Sequence, residues 1–516
     1  MKKIEIMDTT LRDGEQMQNV SYTADEKLTI AQILLQEVKV DRLEITSARA
    51  SEGEKVMVRK ITDWAENFGF IKSLEILSFV DKEKSVDWAK SVGIKRINLL
   101  TKGSRKHCEK QLGKSLSEHL ADIEETVDYA VKNDIEVNIY LEDFSSGILN
   151  SPDYLFEMVD RIVKIPVIRI MLPDTLGMLE PFTVYEKVKL MADRYPGVKF
   201  DYHPHNDYGL GTANALAAAR AGISGLHTTV NGLGERAGNS SLDEVVVGLK
   251  DLYNIETNID ETKLYKVSKF VEMFSGQRLA SNKPIYGSNV FTQTAGIHAD
   301  GDKKGDLYAN KLIPERFGRT REYALGKLAG KANLDINLKK LGIELDAEKK
   351  KILLNKIVEL GDKKESITLE DLPYLISDIF EVRDKLPFKL VNCVVNTTYQ
   401  FKPFSAVKCS YNGKTMEAYS YGDGGYDAFM NSLKQILQTF GIEIPKLSDY
   451  IVTIPPGGKT DALVQTTIYW EPRDKESRKT IVTKGINSDQ IMAAIEATIR
   501  MVNIILTMKT DNNSHQ

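Results

Sequence analysis

Residues 199–232 read KFDYHPHNDYGLGTANALAAARAGISGLHTTVNG, and this stretch decides the fold. A first short run, KFDYHPHND, leads into an alanine-rich segment of helical length, and a second short run, GLHTTVNG, follows it. Strands that alternate with helices in this way are typical of a parallel sheet built from βα units. The same alternation extends outward from this stretch, back to residue 4 and on to about residue 253.

The pattern predicts eight strands in about 250 residues, which matches a TIM (β/α)8 barrel in number and length. The six further strands are predicted at IEIMDTT (from Ile4), DRLEIT (Asp41), LEILSFV (Leu74), RINLLT (Arg96), EVNIYLED (Glu136) and VIRIMLPD (Val167). A doubly wound open sheet is the alternative, but eight units with polar residues at the strand ends favour closure into a barrel.

The sequence changes in character twice beyond the barrel. Lysine-rich stretches such as DAEKKKILLNKIVELGDKK predict exposed helices in a connector, and a pattern of strands followed by a helix then occurs twice. We therefore expect an α/β protein with a catalytic TIM barrel over residues 1–280 and helical linker subdomains over 281–387. A C-terminal α+β regulatory and dimerisation domain with a βββα-like duplication is expected over 388–510.

The composition is that of a globular protein, with 516 residues, 42% hydrophobic and 28% charged, and a formal net charge of −4. This balance predicts no basic surface for nucleic acid, and no run approaches the roughly 18 apolar residues of a membrane span. The start, MKKIEIMDTT, lacks the apolar core of a secretory signal, so we expect a cytoplasmic protein. Three cysteines without CxxC spacing indicate neither disulfides nor a thiolate zinc site.

His203 and His205 are two residues apart on a predicted strand, so both imidazoles point to one face. They stand at the carboxyl end of the seventh strand, where TIM barrels carry their chemistry, and Asp13 follows the first strand at the same rim. One carboxylate with two imidazoles suits a divalent metal such as Mn, Zn, Co or Mg, and Asn239 could add an oxygen ligand. Histidines satisfied beside a polar loop, and a capping aspartate, are the structural alternatives.

Other polar residues, Glu44 among them, lie near the same rim. Arg12 could polarise a carbonyl or could instead close the barrel in a salt bridge, and the hydroxyl of Thr175 could hold a carboxylate. Glu142, next to Asp143, could be a general base, a support behind a metal ligand or a solvated strand end.

Two further motifs are similar to known loops without matching them. NGLGERAGN misses the GxGxxG spacing of a dinucleotide site by one residue, and DGDKKGDLYANK has Lys304 and Lys311 at ligand positions of a calcium loop. We reject both interpretations. His298 is a lone histidine in a polar segment, for which a surface or turn position is the default.

The motifs DTTLRDGEQ, FDYHPHNDYGLGTANALAA, NGLGERAGN and TAGIHADG, in this order, resemble those of the isopropylmalate, homocitrate and citramalate synthases of the DRE-TIM metallolyase superfamily. The resemblance spans nearly the whole chain, and Arg12, Asp13 and Glu44 match the residues of the superfamily's name. It implies metal-dependent condensation of acetyl-CoA with a 2-oxo acid, in a homodimer whose subunits share active sites. The implied roles are metal binding by Asp13, His203, His205 and Asn239, polarisation of the 2-oxo group by Arg12, binding of the substrate carboxylate by Thr175, proton removal from acetyl-CoA by Glu142 and His298, and a place near acetyl-CoA for Asp300 and Tyr308.

Within that family, the stretches YLEDFSSGILNSPDY, RINLLTKGS and GDKKGDLYANKLIPERFGR are most similar to the citramalate synthases. This resemblance places Leu77, Leu100 and Tyr140 in the pocket for the substrate's side chain, whereas position alone would make them barrel filling. Two leucines and a tyrosine leave room for a methyl group and crowd an isopropyl group. We therefore expect pyruvate rather than 2-oxoisovalerate, with (R)-citramalate for isoleucine biosynthesis as the product.

Two glycine-rich turns of the C-terminal domain, YGDGGYDA and PPGGKTDALV, are candidate cradles for an amino-acid effector, with ordinary hairpin turns as the alternative. The residues concerned are Gly424, Gly425 and Asp461. The resemblance implies feedback inhibition, by isoleucine on a citramalate route or by leucine on an isopropylmalate route. The alternatives for the whole chain are a 2-isopropylmalate synthase, an aldolase or lyase of the same superfamily, and a non-enzymatic effector-binding protein.

Overall fold

The computed structural model describes residues 3–295, 301, 307, 310–341, 343–362, 367, 369, 372–380, 387–453, 464–471 and 481–513. The chain divides into two compact units, Met1–Thr292 with Ala309–Glu322, and Gln293–Tyr308 with Tyr323–Gln516. In the described part of the chain, no helix has both the length and the apolar character that crossing a membrane requires.

Eight parallel strands of the first unit close into a barrel in sequence order, which confirms the predicted TIM barrel. Strand β1 pairs with both β2 and β8, and this pairing closes the sheet. The strands are β1 (Glu5–Asp8), β2 (Arg42–Ser47), β3 (Leu74–Phe79), β4 (Arg96–Lys102), β5 (Glu136–Glu142), β6 (Ile170–Asp174), β7 (Phe200–Pro204) and β8 (Gly225–Thr228). All lie within the predicted stretches, except that Ser47 and Lys102 extend β2 and β4 by one residue.

The helices between these strands are α1 (Ala24–Gln32), α2 (Glu52–Phe68), α3 (Lys84–Ser91), α4 (Arg105–His107), α5 (Leu116–Lys132), α6 (Phe144–Asn150), α7 (Pro152–Ile162), α8 (Pro181–Arg194) and α9 (Gly211–Ala221), with α10 (Leu242–Tyr253) and α11 (Leu264–Ser275) after β8. Helix α1 begins after Thr23, which forms a reciprocal capping box with Glu26. Helix α7 begins at Pro152, whose fixed φ suits a first helical turn.

One face of the strands packs into the apolar core, and the other faces a barrel interior that holds polar side chains and one apolar cluster. On β4, Ile97 and Leu99 are fully buried in the main hydrophobic core. On the same strand, Asn98 and Lys102 form contacts with side chains of other strands inside the barrel. Because side chains alternate along a strand, the residues at the even positions of β4 face the barrel interior.

The second unit contains a helical region and two sheets. A short pair, β9 (Thr292–Gln293) and β10 (Glu322–Tyr323), lies at the boundary of the units. The helical region comprises Lys331–Lys340, Ala347–Asp362 and Leu372–Ile379. The first sheet is β11 (Phe388–Asn396), β12 (Phe404–Tyr411) and β13 (Lys414–Tyr421), followed by the helix Gly425–Thr439; the second is β14 (Lys446–Thr453), β15 (Val464–Glu471) and β16 (Ile481–Asn487), followed by the helix Gln490–Asn513.

Both sheets are antiparallel and three-stranded, so the predicted βββα duplication is confirmed. Val407 and Cys409 of the first sheet and Ile468 and Trp470 of the second are buried in one core with the helices that follow. This alternation of buried positions is typical of strands that helices cover on one face.

Candidate active site

Asp13, His203 and His205 meet at the carboxyl-terminal end of the barrel. The turn after β1 is held by the carbonyl of Thr9, which accepts hydrogen bonds from the N–H groups of Arg12 and Asp13 at 3.1 and 2.8 Å. His203 and His205 present Nε2 atoms 3.2 and 3.9 Å from Asp13 Oδ2. One ligand atom from each of the three residues lies within 4.8 Å of the others. The structure therefore brings the predicted trio together.

This donor set fits a divalent cation. A metal about 2.1 Å from each ligand places neighbouring ligand atoms roughly 3.0–3.4 Å apart, near the separations found here. Among the described residues, the Nδ1 atoms of His203 and His205 and the Oδ1 atom of Asn239 are buried with no hydrogen-bond partner. Buried polar atoms without partners are costly and rare. The Oδ1 atom of Asn239, next to Asp13, is thus available as a further oxygen ligand.

The charges at the site favour the forms of these side chains that bind metal. Burial acts to raise the pKa of Asp13, but Arg12 and the hydrogen bond from His203 outweigh it and hold this pKa well below its ordinary value. Burial lowers the pKa of His205 to about 4. At neutral pH the site thus offers an ionised carboxylate and an unprotonated imidazole, as metal coordination requires.

Arg12 joins a candidate metal ligand to Glu44. Its Nε donates to Glu44 at 2.6 Å and its Nη1 donates to Asp13 at 2.9 Å. Asn98 donates to the other oxygen of Glu44 at 2.8 Å, which fixes this carboxylate between two donors. Arg12 therefore forms the salt bridges of the structural alternative, and these hold its guanidinium beside the candidate metal ligand Asp13. A role in polarising a carbonyl stays a prediction.

Asn239 lies in the turn after β8 and donates from Nδ2 to Asp13 Oδ1 at 3.0 Å and to the carbonyl of Leu233 at 3.1 Å. The neighbouring Gly234 has a φ of 156°, and a Cβ there would lie 2.1 Å from Asn239 Nδ2. Only glycine allows the backbone this approach, so the NGLG turn brings Asn239 to the metal ligand.

Arg236, in the same motif, ties three loops of the barrel mouth together. It donates two hydrogen bonds to Asp207 at 2.8 and 2.9 Å and one to the carbonyl of Thr175 at 2.8 Å. The hydroxyl of Thr175 accepts from the N–H of Asp143 at 2.9 Å, which fixes its position at the mouth. We did not predict Arg236, although its place between two glycines of a rim motif was a signal.

Glu142, at the end of β5, forms an ion pair with Lys102 at the end of β4. It also lines an open pocket of about 350 Å³ together with Lys106, His107 and Lys110. Lys102 is 7% exposed and was not among the predicted site residues. Its even spacing from the other inward residues of β4 could have identified it. Glu142 is therefore a paired carboxylate rather than a solvated strand end.

An apolar cluster adjoins the candidate metal centre inside the barrel. Its members are Met7, Leu77, Tyr140 and Met171, with Leu100 packed against them. The ring of Tyr140 lies 5.9 Å from that of His203, edge to face, and 6.0 Å from the guanidinium carbon of Arg12. The three residues expected to line a side-chain pocket thus lie together next to the candidate metal ligands.

A ring of alternating charges, here called the charge ring, fills the opposite end of the barrel. Its members are Glu5, Arg42, Glu75, Arg96, Glu136, Arg169 and Asp201. Arg169 lies 2.6 Å from Glu5 and 2.7 Å from Asp201, and Arg42 also contacts Asp201. Strand β8 contributes Gly225, where a Cβ would lie 2.4 Å from Asp201 Oδ1. We did not predict these pairings.

Four predicted site residues, His298, Asp300, Tyr308 and Asp461, lie outside the described residues. Gly424 precedes the helix Gly425–Thr439, and Gly425 is its first residue. A Cβ on Gly425 would lie 2.7 Å from Thr397 Cγ2 and 2.8 Å from Ile491 Cδ1, so close packing accounts for that glycine. A role for these residues in binding an effector stays a prediction.

A closed βα barrel with a carboxylate and two imidazoles at its carboxyl-terminal mouth defines a TIM-barrel enzyme with a possible divalent-metal site. The HMGL-like family model matches residues 3–271, the homocitrate synthase post-HMGL domain-like model matches 285–365, and the LeuA allosteric (dimerisation) domain matches 366–506. The chain belongs to the HMGL-like family and, within it, to the citramalate synthases and 2-isopropylmalate synthases. It is therefore an enzyme of the acyltransferase type, as the sequence resemblance implied.

Relatives of both names are similar over nearly the whole chain. (R)-Citramalate synthase CimA of Methanocaldococcus jannaschii is 32% identical over 508 residues, 98% of this chain and 99% of that protein. The 2-isopropylmalate synthase of the same organism is 33% identical over 517 residues, 98% of this chain and 95% of that protein. A Methanopyrus kandleri protein that bears the citramalate synthase name in provisional form is 34% identical over 509 residues, 98% of this chain and 97% of that protein. Sequence identities this similar do not distinguish a citramalate synthase from a 2-isopropylmalate synthase.

Proposed function

We propose that this enzyme condenses acetyl-CoA with pyruvate to give (R)-citramalate and CoA, in isoleucine biosynthesis. Family membership supports the condensation of acetyl-CoA with a 2-oxo acid. The observation that favours pyruvate is the buried wall of Leu77 and Tyr140, with Leu100 against it, beside the metal ligands. This wall leaves room for the methyl group of pyruvate and crowds a branched side chain.

Asp13, His203 and His205 would hold the divalent metal, Mn, Zn, Co or Mg, with Asn239 completing or flanking the site. When bound, the metal supplies Lewis-acid polarisation of the 2-oxo group. Arg12 is held by its two ion pairs where its guanidinium can stabilise the alkoxide that forms at the 2-oxo oxygen. These residues together account for activation of the electrophile.

The nucleophile would arise by proton removal from the methyl group of acetyl-CoA. Glu142 and His298 are proposed to remove this proton together, as general bases. Asp300 and Tyr308 are proposed to lie near acetyl-CoA. The resulting enolate carbon bonds to the 2-oxo carbon, and water then cleaves the thioester to release CoA. Thr175 would hold the substrate carboxylate through its hydroxyl, which the N–H of Asp143 fixes in place.

The second candidate is a 2-isopropylmalate synthase, acting on 2-oxoisovalerate in leucine biosynthesis. A relative with this name matches at 33% identity, as high as those named for citramalate. The two functions differ in the side chain that the pocket accepts, so they are separated by substrate preference alone.

The C-terminal domain would bind an amino-acid effector and join two chains in a homodimer with shared active sites. Its match to the LeuA allosteric (dimerisation) domain supports both proposals. Isoleucine is the proposed effector for a citramalate route and leucine for the alternative, with Gly424, Gly425 and Asp461 as candidate contacts. We further propose a cytoplasmic location and the predicted domain limits, 1–280, 281–387 and 388–510.

A thiol-release assay with acetyl-CoA and a panel of 2-oxo acids tests the proposed function. Chelator should abolish release, and the four candidate metals are then added back in turn. We expect the highest kcat/KM with pyruvate; a preference for 2-oxoisovalerate would replace this proposal by the second candidate. No thiol release with any acid would exclude a synthase.

The pocket is tested by Leu100→Ala, which should raise activity on 2-oxoisovalerate relative to pyruvate. Leu99→Ala is the matched control, because Leu99 faces the core outside the barrel on the same strand. It should lower stability without changing the ratio of the two activities. Calorimetric titration with isoleucine and leucine tests the effector, and binding of neither would refute the regulatory proposal.

A further inference from the structure

A hydrogen-bonded chain inside the barrel connects the charge ring to the substrate pocket. His227, in β8, is 1% exposed. Its Nε2 lies 3.2 Å from Asp201 Oδ2, and its Nδ1 lies 3.0 Å from the hydroxyl of Tyr140. The roles proposed above use neither His227 nor Asp201.

The charge ring sets the direction of this chain. Arg42 and Arg169 both contact Asp201, and these contacts favour its ionised form, which can only accept hydrogen bonds. His227 must therefore carry a proton on Nε2, which faces this carboxylate. In the neutral ring, which burial favours, Nδ1 is left as an acceptor. The hydroxyl of Tyr140 then donates to Nδ1.

The ring of Tyr140 lies against His203 and Arg12, and its hydroxyl is oriented by the hydrogen bond to His227. Within the apolar cluster, this ring packs with Met7 and Met171, which are unbranched and adapt easily to a neighbour's movement. Because methionine side chains adapt in this way, they do not hold the Tyr140 ring in one position. A ring freed from His227 could move among them and enlarge the pocket.

We propose that Asp201 and His227 are positioning residues that set the 2-oxo acid specificity by holding the Tyr140 ring as a fixed wall of the pocket. The inference depends on the proposed function, because it assumes that a 2-oxo acid binds beside Tyr140. Tyr140, and not Asp201 or His227, belongs to the apolar cluster that is the proposed pocket wall. Their effect passes through the hydroxyl of Tyr140, whose proton is committed to His227 and so is not offered to the substrate.

The test compares kcat/KM for pyruvate with that for 2-oxobutanoate, which is one methylene longer. Tyr140→Phe and His227→Phe each remove the hydrogen bond between these two residues and keep an aromatic ring at position 140. Each should reduce the preference for pyruvate by about tenfold, the lower end of what one methylene confers. The double variant should lose no more than either single variant, because both changes delete the same bond. His227→Gln, which offers both an amide donor and an acceptor, should retain more of the preference.

The ratio of the two kcat/KM values does not depend on how much of the enzyme is folded, so a loss of stability alone leaves it unchanged. If His227→Phe does not fold, Tyr140→Phe still gives the measurement. An unchanged ratio in the variants that fold would overturn the inference and leave the proposed function intact. Failure of the wild-type enzyme to release CoA with any 2-oxo acid would instead overturn the proposed function.

Discussion

The two ends of the barrel are both crowded with charge, yet only one has the character of an active site. In the charge ring each arginine contacts two or three acids, and three of the four acids are shared between two arginines. At the other end, Asp13 is ionised beside two imidazoles whose Nε2 atoms converge on its Oδ2 atom. Among the described residues, buried polar atoms without a hydrogen-bond partner occur at both ends, on Arg42 and Arg169 as well as on His203 and His205, so neither charge density nor missing partners identify a site. Ligand atoms that converge on an ionised carboxylate do.

The strongest test of this contrast is His203→Ala, which removes a proposed metal ligand. Even residues behind a metal ligand are worth roughly 10–100-fold in affinity, so loss of a ligand should reduce metal-dependent thiol release by at least about 100-fold. Metal content after dialysis and thiol release are measured together. His119→Ala is the control, since His119 is also buried, at 1% exposure, but is not one of the metal ligands. Full activity in His203→Ala would refute the metal assignment.

Removal of a charge from the charge ring should lower the free energy of unfolding. Arg42→Met leaves Glu75 and Asp201 short of a partner inside the barrel, and breaking a buried pair from one side costs about 3–5 kcal/mol. Denaturant unfolding followed by circular dichroism measures the loss. Arg96→Met is the matched control, because the side chain of Arg96 is 17% exposed against 4% for Arg42. Equal losses in both variants would contradict the account of the charge ring.

A smaller loss of stability is expected at Gly225, where β8 contributes no charged side chain to the charge ring. Gly225→Ala would place a methyl group 2.4 Å from Asp201 Oδ1, and such overpacking costs about 1–3 kcal/mol. Gly53→Ala in α2 is the control, since the nearest atom to its new Cβ is Ser51 Oγ at 3.7 Å. We expect thermal unfolding to shift down in the first variant only; a Gly225→Ala protein as stable as the wild type would show that the ring tolerates displacement.

The smallest expected effect is on pH dependence. Burial lowers the pKa of His227 to about 3, whereas an unfolded histidine titrates near about 6.5. Between these values the unfolded chain binds a proton that the folded chain does not. Stability is therefore full above about pH 6.5 and declines as the pH falls, by up to about 1.4 kcal/mol per pH unit for this one group.

Urea unfolding of chelator-treated protein at pH 7, 6 and 5 measures this decline. The His227→Phe variant should decline less steeply than the wild type, because it lacks the titrating ring. His119, whose pKa burial lowers to about 4, remains in both proteins and contributes equally. Identical slopes in the two proteins would show that His227 does not titrate as its burial requires.

The barrel and the metal trio could be predicted because both depend on short-range patterns. Strand and helix periods mark each βα unit, and two histidines spaced by one residue on a strand must share a face. Asp13 could be added because the first and seventh strands of a barrel end at the same rim. Each of these inferences requires only local geometry and one rule of topology.

The charge ring and the chain to Tyr140 could not be predicted in this way. His227 bonds to groups 26 and 87 residues away, at Asp201 and Tyr140. Arg42 and Asp201, which contact each other across the barrel, are 159 residues apart in the sequence. Which charges pair across a barrel depends on strand tilt and stagger, which no strand carries in its own sequence. The residues of the side-chain pocket, likewise, were indicated by resemblance rather than by periodicity.

The alternation of signs in the charge ring also specifies how the strands are assembled. From β1 to β5 the signs read acid, base, acid, base, acid, and Arg169 and Asp201 continue the series to β7. A slip of one residue in any of these strands would turn its charge from the barrel interior into the apolar layer beneath the helices. An exchange of neighbouring strands would set like charges side by side. The ring thus acts as a check on strand order and register, made at the end of the barrel opposite the candidate metal ligands.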